Sequence, residues 1–368
     1  MAVVVLSIVT LYFLLLVFLI LSWNRPVKVI PRDSAANSVS VIIPVRNEER
    51  TITDLLDDIS KQTHKPLEVI VVNDHSTDNT KSVVEAWLQQ SNALAVRIIE
   101  MKDGVFGKKK AVTEAIAQAK GDVVVATDGD CRVGKGWLKS IATCFSDETV
   151  KLVAGAVKLR PQNFFGELQQ LELAALTGIT AAFITAGKPI MCSGANLAYR
   201  KEVFFEVKGY EGNDHVASGD DEFLLKKIAS RYPQGIAFNY DPAGIVTTQP
   251  ASGVSEFISQ RIRWAGKWRQ QPVGISSLVA LFIFLFHTTY LFLPVLGLFW
   301  VVSLGTLSAL VLLKLLLEFI CLKRISNRMN MPFNSHAFAA LQFLYPPYVV
   351  FFGLISNWLS VTWKGRKI

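Results

Sequence analysis

The chain is poor in cysteine, histidine and charge and has no glycine-rich dinucleotide fingerprint, and each shortage removes a class of protein. Its 368 residues include four cysteines, Cys131, Cys144, Cys192 and Cys321, with no pairing or metal-type spacing. A disulfide scaffold or zinc module is therefore excluded, and reduced thiols in a cytosolic domain are expected. The five histidines, His64, His75, His215, His287 and His336, are scattered, and none reads as a metal ligand. Charged residues are only 18% of the chain, with a net charge of +8. Nucleic-acid binding would need the basic residues gathered on the folded domain. Many instead flank apolar segments: Arg25, Lys28 and Arg32 near the first, Lys323, Arg324 and Arg328 between later ones. Charge so placed sets membrane topology. No Gly-x-Gly-x-x-Gly follows the first candidate strand, which disfavours a classical dinucleotide enzyme. No internal repeat is evident and the spans are few, which disfavours a transporter.

What the chain does have is apolar residues, 51% of the total, with a mean hydropathy of +0.34. Ala2 to Trp23 is an unbroken apolar run with no side-chain charge before Arg25. About 20 such residues span a bilayer. A signal peptide would carry its charge before a shorter apolar core, so residues 1–24 read as a retained anchor with Arg25 on the cytosolic side. A polar linker, 25–38, follows. Near the other end, Val254–Trp268 is basic, amphipathic and Trp-bearing, and 254–272 reads as an interfacial helix. Residues 273–320 hold two spans joined near Pro294, and 321–334 a basic cytosolic loop. Segment 335–363 is broken by Pro346-Pro347 and reads as a third span or a re-entrant hairpin. The hairpin is preferred, because it returns the basic tail 364–368 to the cytosol. Lys314 and Glu318, at i and i+4 near the end of a span, read as a helical ion pair at the interface. The whole is expected to be an integral protein of a bacterial inner membrane with a cytosolic globular part.

That part, 39–253, alternates strands and helices. Strands are expected at Val39–Val45, Leu67–Val72, Val96–Glu100 and Val123–Thr127. Between them lie a helix with Ile52, Leu55, Leu56 and Ile59 at helical spacing and two more at Asn79–Gln90 and Gly107–Lys120. The alternation argues for an α/β fold, a mostly parallel sheet with helices on both faces. Polar clusters follow three strands: Arg46–Glu49, Asn73–Asp78 and Asp128–Asp130. Open sheets of this kind bind ligands beyond the carboxyl ends of their strands. Asp128 and Asp130, two apart on extended chain, point the same way and can share one hard divalent cation. Gly129 between them allows close approach. Further on, Phe164–Ile184 is expected to be helical, Met191–Tyr199 to be a strand or lining segment, and Asp220-Asp221-Glu222 to open a helix.

Four clusters stand in order: Val39–Glu49 with Val71–Asp78; Asp128-Gly129-Asp130; Ser218-Gly219-Asp220-Asp221-Glu222; and Gln260-Arg261-Ile262-Arg263-Trp264. In this order and spacing they resemble the family-2 inverting glycosyltransferases of GT-A fold, over roughly 39–270. Gln260, Arg263 and Trp264 match the Gln-x-x-Arg-Trp motif of the membrane-anchored branch that includes ceramide glucosyltransferases and polysaccharide synthases. The resemblance implies a donor site of Pro44, Asn47, Glu48, Asp74, Lys108, Asp128, Gly129, Gln260, Arg263 and Trp264, with Asp74 on the uracil and ribose of a UDP-sugar. It implies Mg2+ or Mn2+ on Asp130 and Asp128, with Asp130 the direct ligand. Asp221 would be the general base. The family usually writes Glu-Asp there, and the departure leaves Asp220 open as the alternative. Gly194, Asn196 and Trp264 would lie on the acceptor side.

Two enzyme classes follow. One moves a single sugar from a nucleotide-sugar donor to the hydroxyl of a lipid or lipid-linked acceptor drawn from the bilayer. The other is a processive polysaccharide synthase, for which about three spans and a hairpin make a thin pore. A non-catalytic membrane scaffold keeping the fold is the reading from another class. It is disfavoured because every expected acidic position is filled.

Overall fold

A computed structural model describes residues 2–23, 38–91, 94–213, 219–266, 274–298 and 303–355, and the short pieces 362–363 and 366–367. The expected linker 25–38 lies outside these residues except for Ser38. So do Ser218, Trp268 and most of the basic tail.

The globular part is built on a seven-stranded sheet of order β3-β2-β1-β4-β8-β6-β9. Its strands are β1 (Val39–Val45), β2 (Glu68–Asn73), β3 (Val96–Glu100), β4 (Val123–Ala126), β6 (Leu152–Gly155), β8 (Leu197–Arg200) and β9 (Ile236–Asn239). β3, β2, β1 and β4 run parallel. β8 is antiparallel to both of its neighbours. β1, β2 and β4 are apolar without alternation, since helices cover both faces; β4 is buried at every position. Pro44 sits in β1 at no cost, because β4 pairs only with Val39–Ile42 and leaves that edge of Pro44 without a ladder. A smaller sheet, β5-β10-β7 (Arg132–Val133, Val246–Thr248, Val157–Leu159), stands beside the carboxyl ends of the parallel strands.

Helices α2 (Ile52–Ser60), α3 (Thr80–Gln90), α4 (Lys108–Gln118) and α5 (Trp137–Cys144) cover the sheet. α2 buries Ile52, Leu55, Leu56 and Ile59 completely, the amphipathic stripe that its spacing requires. α6 (Phe164–Thr185) starts on an Asn163 cap whose Oδ1 accepts from the Gly166 amide at 2.8 Å. After α7 (Lys201–Glu206), α8 (Asp220–Arg231) opens on three acidic residues at the positive end of its dipole.

Among the described residues, four helices are long and apolar enough to cross a membrane: α1 (Ala2–Ser22), α10 (Ile275–Leu298), α11 (Leu304–Arg328) and α12 (Ser335–Ile355). α9 (Val254–Gly266) precedes α10. Three expectations need correction here. Pro294 does not join two spans but lies inside α10, and the next described helix begins at Leu304. The basic loop is shorter than 321–334, because α11 runs on to Arg328, whose guanidinium donates to the Trp23 carbonyl and covers the Tyr240 ring at 4.8 Å. Pro346-Pro347 do not break 335–355 into half-helices. α12 continues through both, held by neighbours along its length: Asn334, just before it, to Glu167 at 2.6 Å, and Tyr348 to Glu172 at 2.5 Å. Packed neighbours of this kind carry proline inside membrane helices.

Candidate functional site: an acid–base cluster opening toward the membrane helices

The site begins where β1, β2 and β4 end. Because these strands are adjacent and parallel, their following loops meet. Arg46 ties two of them, donating to the carbonyls of Asp74 at 2.8 Å and His75 at 2.6 Å. Asn47, at φ 54°, accepts from the Thr77 amide at 2.8 Å, and the Glu48 amide donates to Thr80 at 2.7 Å. Asp74 is buried, and its Oδ2 accepts from the Gly107 amide at 3.1 Å, which draws the start of α4 toward β2.

Lys108 then points across to β4. Its Nζ lies 2.6 Å from Asp128 Oδ1 and 3.5 Å from Asp220 Oδ2. Burial would lower the Lys108 pKa, but the adjacent carboxylates of Asp128 and Asp220 outweigh it, so the pKa is raised and the ammonium is fixed. Asp220 shifts upward, chiefly through burial, with Lys108 opposing and Asp221 and Asp128 adding to the rise. Asp221 is held by backbone: Oδ2 accepts from the Gly194 amide at 3.0 Å and Oδ1 from the Glu222 amide at 2.7 Å. The segment 191–195 reaches this place because β8 is antiparallel, so the residues leading into it arrive at the carboxyl edge of β4. A Cβ at Gly194 would stand 3.2 Å from both Asp220 Oδ2 and Lys108 Nζ. Asp130 accepts from the Thr248 hydroxyl of β10 at 3.1 Å. Buried Cys131 beside it has a strongly raised pKa, from burial first and then Asp130 and Asp128, which makes it a structural thiol.

One cavity of about 1280 Å3 runs from this cluster to the membrane helices. Pro44, Glu48, Asp74, Lys108, Asp128, Gly129, Asp130, Gly194, Asp220, Asp221, Gln260, Arg263 and Trp264 all line it. The Arg263 pKa is lowered by burial, against the opposing pull of Asp128, Asp220 and Asp221. Two expected site residues do not line the cavity. Asn47 latches loop to loop, as above. Asn196, expected on the acceptor side, is a core residue: Nδ2 donates to the carbonyls of Ala156 and Gly244, both at 2.8 Å, and Oδ1 accepts from Trp137 Nε1 at 3.1 Å. Packing also favours glycine at 129. A Cβ there would fall 2.9 Å from Val45 Cγ1.

The oxygen donors suit a hard divalent cation. No group of three or more His, Cys, Asp or Glu side chains able to hold a metal occurs among the described residues. A cation at Asp130 and Asp128 would thus take its other ligands from substrate phosphate and water, as Mg2+ commonly does.

Several residues in the cavity carry no motif signal. Arg261 is 5% exposed and bonds Glu172 of α6 at 2.5 Å. The Tyr348 hydroxyl of α12 bonds the same carboxylate. Farther in, Lys314 and Glu318 pair at 2.9 Å, but in the middle of α11 and buried rather than at its end. The sequence offered only their i,i+4 spacing.

Residues 40–207 match the family described as Glycosyl transferase family 2. The chain carries a glycosyl transferase family 2 domain. Among curated relatives it is similar to a poly-beta-1,6-N-acetyl-D-glucosamine synthase of Staphylococcus aureus, 26% identical over 230 residues, which are 62% of this chain and 53% of that protein. It is likewise similar to glycosyltransferase AglE of Haloferax volcanii, 26% identical over 250 residues, 66% of this chain and 78% of that one. The chain thus spans about half the length of the first of these relatives. The fold matches that of a mannosyltransferase from Pyrobaculum calidifontis solved with GDP-Man and Mn2+, at a TM-score of 0.59 and 22% identity over 97% of both chains. The fold of the domain is therefore GT-A.

Proposed function

We propose that this chain is a membrane-bound inverting glycosyltransferase that moves one sugar from a nucleoside-diphosphate sugar to the hydroxyl of a lipid or lipid-linked acceptor. The observation that carries the reading is the single cavity, acid–base cluster at one end and membrane helices at the other. A water-soluble acceptor needs no such route.

Asp74, Glu48 and Pro44 form the donor's nucleoside end, and Lys108, Arg263 and Gln260 face its diphosphate. A divalent cation on Asp130 and Asp128 supplies charge stabilisation to the leaving diphosphate when bound. Lys108 holds Asp128 at 2.6 Å, which would leave Asp130 as the principal ligand and keep the ammonium beside the diphosphate. Asp221 takes the proton from the acceptor hydroxyl. The oxygen attacks the anomeric carbon from the face opposite the diphosphate, the glycosidic C–O bond breaks, and its electrons leave with the diphosphate. Asp221 suits the base role because two backbone amides orient it, whereas Asp220 lies 3.5 Å from the Lys108 ammonium. Trp264 and Gly194 border the acceptor. The catalytic domain is assigned to the cytosol, where nucleotide sugars are made.

The donor panel should include UDP-sugars, implied by the family resemblance, and GDP-Man, which the Pyrobaculum enzyme binds. Radiolabel from each is followed into organic-extractable lipid in membranes holding wild type or Asp221→Asn. Label in the lipid phase, lost on chelation and at least about 10²-fold lower in the variant, is expected for a base in this role. Label in precipitable polymer instead supports a processive synthase, the activity named for the Staphylococcus relative.

A further inference from the structure

The cavity is walled off from its surroundings along most of its length. α1, α6 and α11 contribute no exposed residue to its lining. Where a lining residue is also exposed, the wall is open. Among the described residues such positions form two groups. Phe106, Lys110, Gln249 and Glu256 stand on the domain and α9 and open the donor end to water. Leu281 of α10 and Gly353 and Leu354 of α12 stand on membrane helices, and the transfer chemistry does not use them.

This second group faces hydrocarbon. Leu281 is 53% exposed and shares an exposed stripe at helical spacing with Leu278, Leu285 and Phe292. Leu354 is 58% exposed and continues the outward face of Phe343 and Phe351. A lining residue on an outward stripe means that the cavity reaches the outer surface of the helix pair there. The two helices close together just inside the gap. A Cβ at Gly353 would fall 2.6 Å from Phe284 Cδ2, so the Phe284 ring, itself in the lining, rests on bare backbone. Leu281 is six residues into α10, about 9 Å at 1.5 Å per residue. Leu354 lies two residues beyond Phe352, whose ring is 6.3 Å from Phe257 of α9. The gap therefore sits in the half of a hydrocarbon layer about 30 Å thick that adjoins α9. Ala280, Ile283 and Val349, from the same turns, continue the lining inward. Such a wall receives hydrocarbon and penalises sugar or phosphate, which would lose water without gaining partners.

We propose that the gap between α10 and α12 at Leu281, Gly353 and Leu354 is a lateral portal for the acceptor lipid. The lipid enters from the adjoining leaflet with its hydroxyl end leading toward Asp221 and its hydrocarbon chain trailing between the two helices. The inference rests on the lipid-acceptor reading and deepens it: donor and acceptor enter by separate openings, and the acceptor is a long-chain lipid of the leaflet on the domain's side.

The test closes the gap reversibly. Leu281→Cys and Leu354→Cys are combined in the full chain, in liposomes, with the four native cysteines replaced by serine. A short bis-methanethiosulfonate bridges the pair, intact mass verifies the bridge, and a reductant removes it. Both positions are exposed, so thermal midpoints should stay close to that of the unsubstituted chain. Entry is read without any transfer, by photolabelling with an octadecanol that carries a diazirine near its hydroxyl. Adducts on buried lining residues such as Leu16, Leu171 and Glu318 are measured by mass spectrometry. They should form in the unbridged protein, fall to background with the bridge in place, and return after reduction. The same bridge between Leu278→Cys and Leu285→Cys, exposed on α10 but outside the lining, should change nothing. Buried adducts that persist under the bridge, or that never form in the unbridged protein, overturn the portal. Adducts that follow the bridge while no donor gives radiolabel transfer uphold the portal and overturn the proposed activity.

Discussion

At the scale of single residues, charge placement decides most of what the site does. Asp74, Lys108, Asp128, Asp130 and Asp221 were legible because each follows a strand or opens a helix, where the fold collects polar groups. Asn47 and Asn196 carry motif-like neighbours, but Asn47 Oδ1 is taken by Thr77 and the Asn196 amide by two carbonyls and the Trp137 indole, partners that no local pattern reveals. Lys108→Met removes the cation between Asp128 and Asp220. Crowded carboxylates then hold protons more tightly. The expected outcome is a fall in kcat/KM of at least about tenfold with the acidic limb of the pH–rate profile displaced upward, measured by transfer across pH. Glu68 gives a stability counterpart away from the site. Its burial would raise its pKa, but hydrogen bonds from the Lys120 amide and Ser40, with Arg97 beside it, outweigh that and hold it low. A carboxylate depressed in the folded state adds stability above its unfolded pKa, lost as pH falls through the folded one. Glu68→Gln should therefore cost about 1–3 kcal/mol at neutral pH. The gap in thermal midpoint from wild type should close as pH drops below about 4.

At the scale of elements, strands buried on both faces read directly from apolar runs, and α2 from its stripe. α9 read correctly as basic and Trp-bearing, but its attachment did not. Arg261 joins α9 to Glu172 of α6, its guanidinium stacks on Phe257 and Trp264 at 4.4 Å each, and Tyr348 closes the network from α12. Glu172 lies 89 positions earlier in the sequence, beyond the reach of any local pattern. The network holds the face of α9 from which Arg263 and Trp264 enter the cavity. Arg261→Ala strands a buried carboxylate, a loss of about 3–5 kcal/mol for a broken buried pair. A fall in thermal midpoint and a drop in transfer of about tenfold or more should appear together. Replacing Arg261 and Glu172 both by Met should recover most of each, since removing both charges leaves no unpaired partner. Recovery of stability without transfer would show that Arg261 touches the donor itself.

At the scale of the whole molecule, the membrane helices and the domain are one packed unit, and this bears on the reading of the last segment. The sequence argument weighed a perpendicular span against a hairpin broken at Pro346-Pro347, because a lone span strands the basic residues Lys364, Arg366 and Lys367 on the far side. α12 does neither. It meets the domain near its start, where Asn334 bonds Glu167 and Ala337 and Phe338 pack on Leu171. It meets the domain again near its end, where Tyr348 bonds Glu172 and Phe352 lies 6.3 Å from Phe257 of α9. A helix leaving the domain straight through a bilayer would keep such contacts at one end only. These contacts lead us to expect that α12 lies oblique to the bilayer against α6 and α9 and that Lys367 lies on the domain's side, which would satisfy the charge rule without a break at the prolines. With the four native cysteines replaced by serine, a cysteine at Lys367 and one at exposed Lys102 should react with an impermeant maleimide from the same side of sealed vesicles. Labelling from opposite sides would mean that α12 crosses completely, and the cavity would then have to open differently toward the bilayer.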